Sequence, residues 1–179
     1  MKELLLLRHA KSSWAEPGQA DVQRPLNRRG RRAAVRMGQF LNETGLRPAL
    51  ILCSSAKRTR ETLDLIADAL GHVPIQIEPG LYLADPATLL ARLRQIPANV
   101  PSVMVIAHNP GLQELATELA GAPGAATPED RTQLQRKFPT AALARFRLKI
   151  ADWKSLSTDA APGKIKLLAV VTPRDLPEP

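Results

Sequence analysis

Residues 3–8 read Glu-Leu-Leu-Leu-Leu-Arg, an apolar run too short for a helix of ordinary length and without polar alternation. A strand with one face in water alternates polar and apolar residues; a strand covered on both faces does not. Residues 48–53 (Pro-Ala-Leu-Ile-Leu-Cys) and 102–107 (Ser-Val-Met-Val-Ile-Ala) have the same character. These runs predict parallel strands buried on both sides. Residues 74–78 add a short strand, and 140–150 and 164–172 two later ones, the last at a sheet edge. Helical patterns lie between them. Asn27 is placed to cap a helix that reaches about Thr44, with Ala33, Ala34, Met37, Phe40 and Leu41 inward and Gly45 as its stop. A second helix covers 57–70, a third 86–95 opening at Asp85-Pro86, and a fourth 110–120 with Asn109 as N-cap and Pro110 at its first position. The alternation predicts an α/β fold of three layers, α/β/α, around a mostly parallel central sheet.

The 179 residues suit one domain spanning the chain, with 173–179 as a loose tail. The run 121–130 (Gly-Ala-Pro-Gly-Ala-Ala-Thr-Pro-Glu-Asp) reads as a surface loop, and whether 121–137 covers a pocket is left open. With 44% hydrophobic and 23% charged residues, neither disorder nor membrane insertion suits the chain as a whole. One cysteine, Cys53, excludes an internal disulfide framework and a zinc ribbon, and with no signal-peptide pattern it suggests a cytoplasmic protein. Cys53 itself reads as strand packing and His72 as a loop residue. The net charge of +8 favours anionic partners. Arg24, Arg28, Arg29, Arg31, Arg32 and Arg36 concentrate it, most simply as the solvated face of a helix. A nucleic-acid partner is disfavoured, because 3% aromatic residues leave few stacking platforms. No GxxxxGK[ST] or GxGxxG pattern is present.

The candidate chemistry falls at strand ends. Arg8 and His9 close the first strand, Arg58 follows the second, and His108 follows the 102–107 strand. Open parallel sheets bind ligands beyond the carboxyl ends of their strands, so distant positions converge on one crevice. Arginine forks match phosphate oxygens, and a neutral imidazole held through one nitrogen is a nucleophile through the other. No carboxylate set suited to a metal surrounds them. The pattern points to metal-independent phosphoryl transfer through a phosphohistidine, with no cofactor.

Leu7-Arg8-His9-Ala10-Lys11-Ser12 resembles the Arg-His-Gly signature of the histidine phosphatase superfamily, whose fold is phosphoglycerate-mutase-like. Further matches follow in family order: Asp21 to Gly30, which leads into the first helix; Ser54-Ser55-Ala56-Lys57-Arg58-Thr59-Arg60-Glu61-Thr62, the second motif; and Val105-Ile106-Ala107-His108-Asn109, the second-histidine motif. Phe138-Pro139-Thr140-Ala141-Ala142 is similar to a late segment of the short SixA-type members. The resemblance implies that His9 attacks phosphorus while Arg8, Arg58 and His108 hold the phosphoryl oxygens. It implies a phosphatase whose preferred substrate is phosphohistidine in a protein. Lys11, Ser12, Asn109 and Trp14 are candidate substrate-binding residues, with packing as the alternative for Trp14, and Arg24 and Arg28 are candidates to widen a positive funnel.

Two departures from the family pattern matter. Ala10 replaces the usual glycine. The proton donor is also open: Asp85 is the better-spaced candidate, Glu78 the other, and Asp85 reads equally as a helix cap. An imidazole leaving group, with a pKa of about 6.5, needs no strong acid, so a missing donor favours phosphohistidine substrates. The alternatives are a broad small-molecule phosphomonoesterase and a non-catalytic phosphoprotein-binding module. The oligomeric state is expected to be monomeric.

Overall fold

The computed structural model describes residues 1–177. Six strands form one sheet: β1 (Lys2–Arg8), β2 (Leu50–Ser54), β3 (Ile75–Glu78), β4 (Ser102–Ala107), β5 (Leu143–Leu148) and β6 (Ile165–Val171). Their order is β3-β2-β4-β1-β5-β6. β3, β2, β4 and β1 pair in parallel, while β5 and β6 join antiparallel. Five α-helices cover the faces: α1 (Arg28–Glu43), α2 (Lys57–Leu70), α3 (Pro86–Leu93), α4 (Gly111–Gly121) and α5 (Pro128–Arg136).

The four leucines of β1 show why this run does not alternate. Leu4 and Leu6 enter one core with Val103, Val105, Leu115 and Trp153; Leu5 and Leu7 enter the other with Met37, Ile66, Met104 and Ile106. All four are at most 2% exposed, and each contributes roughly 1.5–3 kcal/mol of burial. α1 and α2 close the second core, α3 and α4 the first. The edge strand β3 departs from this pattern, with Ile75 and Ile77 exposed.

Two glycines fix where the loops at the site end lie. A Cβ on Gly30 would stand 2.1 Å from the Lys11 carbonyl oxygen, and one on Gly111 would stand 2.0 Å from that of Ala84. The loop after β1 therefore packs directly on α1, and the lead-in to α3 directly on the start of α4.

Three expectations need correction. The stretch 121–130 is not loop throughout: α5 begins at Pro128, capped by Thr127, which accepts from the Asp130 N–H. Only Leu134 is buried in α5, so the helix has no apolar spacing to read. Asn109 does not cap α4, which starts at Gly111 behind a cis Asn109-Pro110 peptide. Its side-chain amide donates instead to Phe138 O and Gln113 Oε1, both at 3.0 Å. Nor is the tail loose as far as it is described. Pro173–Asp175 form a 3-10 turn with a Thr172/Asp175 capping box, Arg36 Nη1 donates to Pro173 O, and Leu176 packs on the α1 core. The last two residues of that expected tail lie outside the described residues.

Candidate active site

The carboxyl ends of β1, β2 and β4 bring Arg8, His9, Arg58 and His108 together. β1 ends at Arg8; the His9 N–H then donates to Ala107 O on β4 (3.1 Å). The chain is pinned from the other side by Ala141, whose N–H reaches both Arg8 O (3.1 Å) and His9 O (3.0 Å). Ala141 holds a left-handed backbone at φ 61°, a conformation that costs a non-glycine residue about 1 kcal/mol or more. Ala10, fully buried, donates its N–H to Thr62 Oγ1 on α2 (3.0 Å). A methyl group is accommodated where the family usually has glycine.

His9 is 7% exposed. Its Nδ1 lies 2.7 Å from Ala10 O. A carbonyl only accepts, so Nδ1 carries the proton and Nε2 the lone pair. Burial pushes the His9 imidazolium down to about 4, with Arg58 and Arg8 acting in the same direction against the Ala10 carbonyl and Asp21. At neutral pH the ring is uncharged. Its Nε2 faces Arg58 Nε, at 3.4 Å.

Arg58 is 5% exposed and held by Asp21, with Nη1 on the backbone oxygen (2.7 Å) and Nη2 on Oδ2 (2.9 Å). The Tyr82 hydroxyl donates to the same Oδ2 at 2.5 Å. That bond, then Arg58, holds the Asp21 carboxyl below the usual range against partial desolvation. Three of the five Arg58 N–H groups are engaged, leaving two for a ligand. Arg8 gives Nη1 to Phe138 O (2.9 Å), and its buried Nε has no partner. Burial, then Arg58, lowers the Arg8 guanidinium pKa.

His108 is 1% exposed, its ring centre 5.1 Å from that of His9, with Tyr82 edge-on at 5.4 Å. Burial, then His9 and Arg58, pushes it down to about 3. Its Nε2 is 2.7 Å from Ser54 Oγ, and its buried Nδ1 has no partner. If the Ser54 hydroxyl donates to Nε2, the ring proton sits on Nδ1 and faces no acceptor. The site thus combines a neutral lone pair, two arginines and an unpartnered imidazole nitrogen.

The other predicted residues are placed less centrally. Lys11 is exposed and Ser12 half-buried, bridging Leu26. Trp14 is exposed and stacks under Arg24, whose guanidinium carbon is 3.8 Å from the ring centre. Arg24 Nε in turn lies 3.6 Å from Asp21 Oδ1, which links Trp14 to the rim of the pocket. Arg28 is exposed on the first turn of α1. Asn109 holds the Phe138 carbonyl alongside Arg8. Neither proton-donor candidate has a hydrogen bond with the four residues. Asp85 is exposed, caps α3 on the Thr88 N–H (2.7 Å), and that bond lowers its pKa. Glu78 is clamped by Arg92 Nε and Nη2, through contacts of 2.7–3.0 Å. Among the described residues no group of three His, Cys, Asp or Glu is arranged to hold a metal ion. Cys53 is buried, its thiol pushed up to about 12 by desolvation. No helix there is long and apolar enough to cross a membrane.

Sequence reasoning missed Asp21, Tyr82 and Ser54. Ser54 ends β2, so the strand-end rule that selected Arg58 and His108 selects it too. Asp21 lies in the segment quoted as similar to the family, and Tyr82 is the one tyrosine in the chain; their spacing from Arg58 carries no signal.

Residues 4–82 match the histidine phosphatase superfamily (branch 1). A Mycobacterium tuberculosis protein of uncharacterised role is 34% identical over 170 residues, covering 94% of this chain and 100% of that protein. Two solved structures extend the likeness over both chains. A candidate phosphohistidine phosphatase SixA from Agrobacterium tumefaciens superposes with a TM-score of 0.79 at 27% identity, over 96% of this chain and 97% of that one. Its counterpart from Nakamurella multipartitia gives 0.78 at 28%, over 96% of each. The fold is thus phosphoglycerate-mutase-like, and the chain belongs to the histidine phosphatase superfamily, in its SixA-type form, as a phosphatase- or mutase-type enzyme.

Proposed function

We propose that this protein hydrolyses phosphohistidine in proteins through a phosphohistidine on His9. The observation that carries the reading is the state of His9: neutral, its proton fixed on Nδ1 by Ala10 O, its Nε2 lone pair beside Arg58. An incoming phosphoryl group takes over the Arg58 Nε–H and frees that lone pair. His9 Nε2 forms a bond to phosphorus as the bond to the substrate nitrogen breaks; with the substrate ring's other nitrogen already protonated from solvent, that electron pair becomes the lone pair of a neutral imidazole, whose conjugate acid has a pKa of about 6.5. Arg8, Arg58 and the His108 Nδ1–H hold the phosphoryl oxygens. Donors fixed before the reaction stabilise charge without reorganising. Water then attacks phosphorus, the bond to His9 breaks, and phosphate leaves.

The leaving group follows from what surrounds the pocket. Asp85 faces solvent as a cap, Glu78 is paired with Arg92, and Asp21 is kept ionised by Tyr82 and Arg58. No carboxylic acid stands ready at neutral pH. An alkoxide needs one, whereas an imidazole of pKa about 6.5 does not.

Phosphate release from a histidine-phosphorylated carrier protein, with a chelator present, tests this in the wild type and in His9→Ala. Release in the wild type only, with an acid-labile phosphoenzyme trapped on rapid quenching, is the expected result. Turnover of aryl and sugar phosphates with none of the carrier would overturn the substrate assignment. Dependence on an added divalent ion would overturn the mechanism.

A further inference from the structure

Beside the phosphate pocket, towards β5 and β6, lies a second concavity of about 590 Å³. Arg8 borders it together with Lys11, Arg29, Lys137 and Arg174, and Asp175 is the one carboxylate among its lining residues. The five cations come from five segments: the end of β1, the loop after it, the first turn of α1, the residue after α5, and the turn after β6. Asp175, whose Oδ2 accepts the Thr172 N–H (2.8 Å), sets one negative charge against these five. Lys11, Arg29, Lys137 and Arg174 are exposed, and none takes part in an ion pair among the described residues.

The sequence at this cleft works against its own helix. α1 has no acidic residue in its first turn and carries Arg28, Arg29, Arg31 and Arg32 there or just beyond. Cations at a helix N-terminus oppose the helix dipole. Among the described residues only Arg31 of these four has an ion-pair partner, Glu61 at 3.3 Å. An anion supplied from outside relieves the remainder.

We propose that this cleft receives carboxylate side chains flanking the phosphorylated residue of a protein substrate. The assignment rests on the phosphohistidine reading and deepens it. A compact second phosphate calls for convergent, tethered donors, as in the pocket next door. Four exposed, flexible cations spread along a trough suit several carboxylates distributed over a polypeptide surface. Because Arg8 belongs to both sites, a substrate seated here places its phosphorylated residue at His9.

Two phosphohistidine peptides test this, one flanked by glutamates and one by glutamines, against the triple variant Arg29→Glu/Lys137→Glu/Arg174→Glu. The wild type is expected to favour the glutamate peptide by about tenfold or more in kcat/KM, mainly through KM, with the preference fading as salt screens it. The variant loses that preference while its turnover of phosphoramidate is unchanged. Damage to folding is separable, because Arg29→Glu by itself improves the charge at the start of α1 and should leave Tm equal or higher. Equal kcat/KM for the two peptides, or a preference that persists in the variant, would overturn the proposal. A preference for fructose 1,6-bisphosphate over fructose 6-phosphate that the variant loses would assign the cleft to a second phosphate instead. Absence of turnover on every phosphorylated probe counts against the phosphatase reading alone. The cleft is then decided by fluorescence anisotropy of the unphosphorylated peptides, where tighter binding of the glutamate peptide by the wild type only supports it and equal binding refutes it.

Discussion

The candidate active site and the cleft beside it carry the same sign of charge and are built in opposite ways. In the pocket His9, Arg58 and His108 are at most 7% exposed and each has a fixed partner: Ala10 O, Asp21, Ser54. In the cleft Lys11, Arg29, Lys137 and Arg174 are exposed and take part in no ion pair among the described residues. A tethered cation has already lost its rotamer freedom, so it meets a developing charge at no further entropic cost. A free one must be ordered by its ligand, which lowers its net contribution but lets it follow a varied surface. Rigidity fits a fixed chemical step, and looseness fits a tolerant choice of partner.

Substitutions in the pocket should therefore cost far more than those in the cleft. His9→Ala removes the proposed nucleophile and is expected to lower kcat by on the order of 10³-fold or more; single-turnover phosphate release measures it, and substantial residual turnover would show that phosphate leaves by direct attack of water. Arg58→Lys keeps the charge and loses the fork. Its expected loss is roughly 10²-fold in kcat/KM, of the size seen when one fixed transition-state donor is removed. Asp21→Asn leaves Arg58 in place but loosens it, and about tenfold in kcat with little change in KM is expected. A larger effect from Asp21 than from Arg58 would mean that its carboxylate acts directly on the substrate.

Acid tests the same tethered groups. In the proposed mechanism His9 must be neutral to attack, and its imidazolium is held down to about 4, so the acid limb of kcat/KM should fall near pH 4 rather than near the ordinary value of about 6.5. A limb near 6.5 would show that the ring is solvated. Stability moves in the same direction. His9 and His108, at about 4 and about 3 when folded, both take protons more readily when unfolded. Between about pH 6.5 and 3 the unfolded chain binds more protons, so stability falls as pH falls, by several kcal/mol in all on an order-of-magnitude basis. Urea midpoints across that range measure it, and His108→Asn should flatten the slope.

The parts of the fold legible in the sequence were those written in local patterns. The unbroken leucines of β1 announced a strand covered on both faces, and Leu4–Leu7 divide between two cores as that requires. The strand-end rule brought Arg8, His9, Arg58 and His108 to one end of the sheet because parallel topology puts every such end on one side. What stayed illegible depends on contacts across the chain. α5 buries one leucine, so nothing periodic marked it. Asn109 looked like a cap because Asn before Pro often is one; the Phe138 carbonyl, distant in sequence, takes its amide instead. Asp21 and Tyr82 meet at a single carboxylate oxygen across 61 positions, and no pattern within either segment records that meeting. The cleft was visible only as a run of arginines, since Lys137 and Arg174 join it through the fold.

The smallest effect is expected where sequence spacing alone nominated a proton donor. Asp85 is exposed, its carboxylate accepts the Thr88 N–H, and that bond keeps it ionised. An ionised cap on the outside of α3 has no proton to give at neutral pH. Asparagine caps a helix about as well as aspartate, so Asp85→Asn should leave both Tm and phosphohistidine turnover within about twofold of the wild type. Parallel assays on an aryl phosphate sharpen the comparison. Loss confined to the aryl substrate would show that Asp85 swings in to protonate oxygen leaving groups, which would make it a loosely held residue serving the chemistry itself. Loss on phosphohistidine as well would show that the imidazole leaving group needs an enzyme acid, and the argument from its pKa would fall.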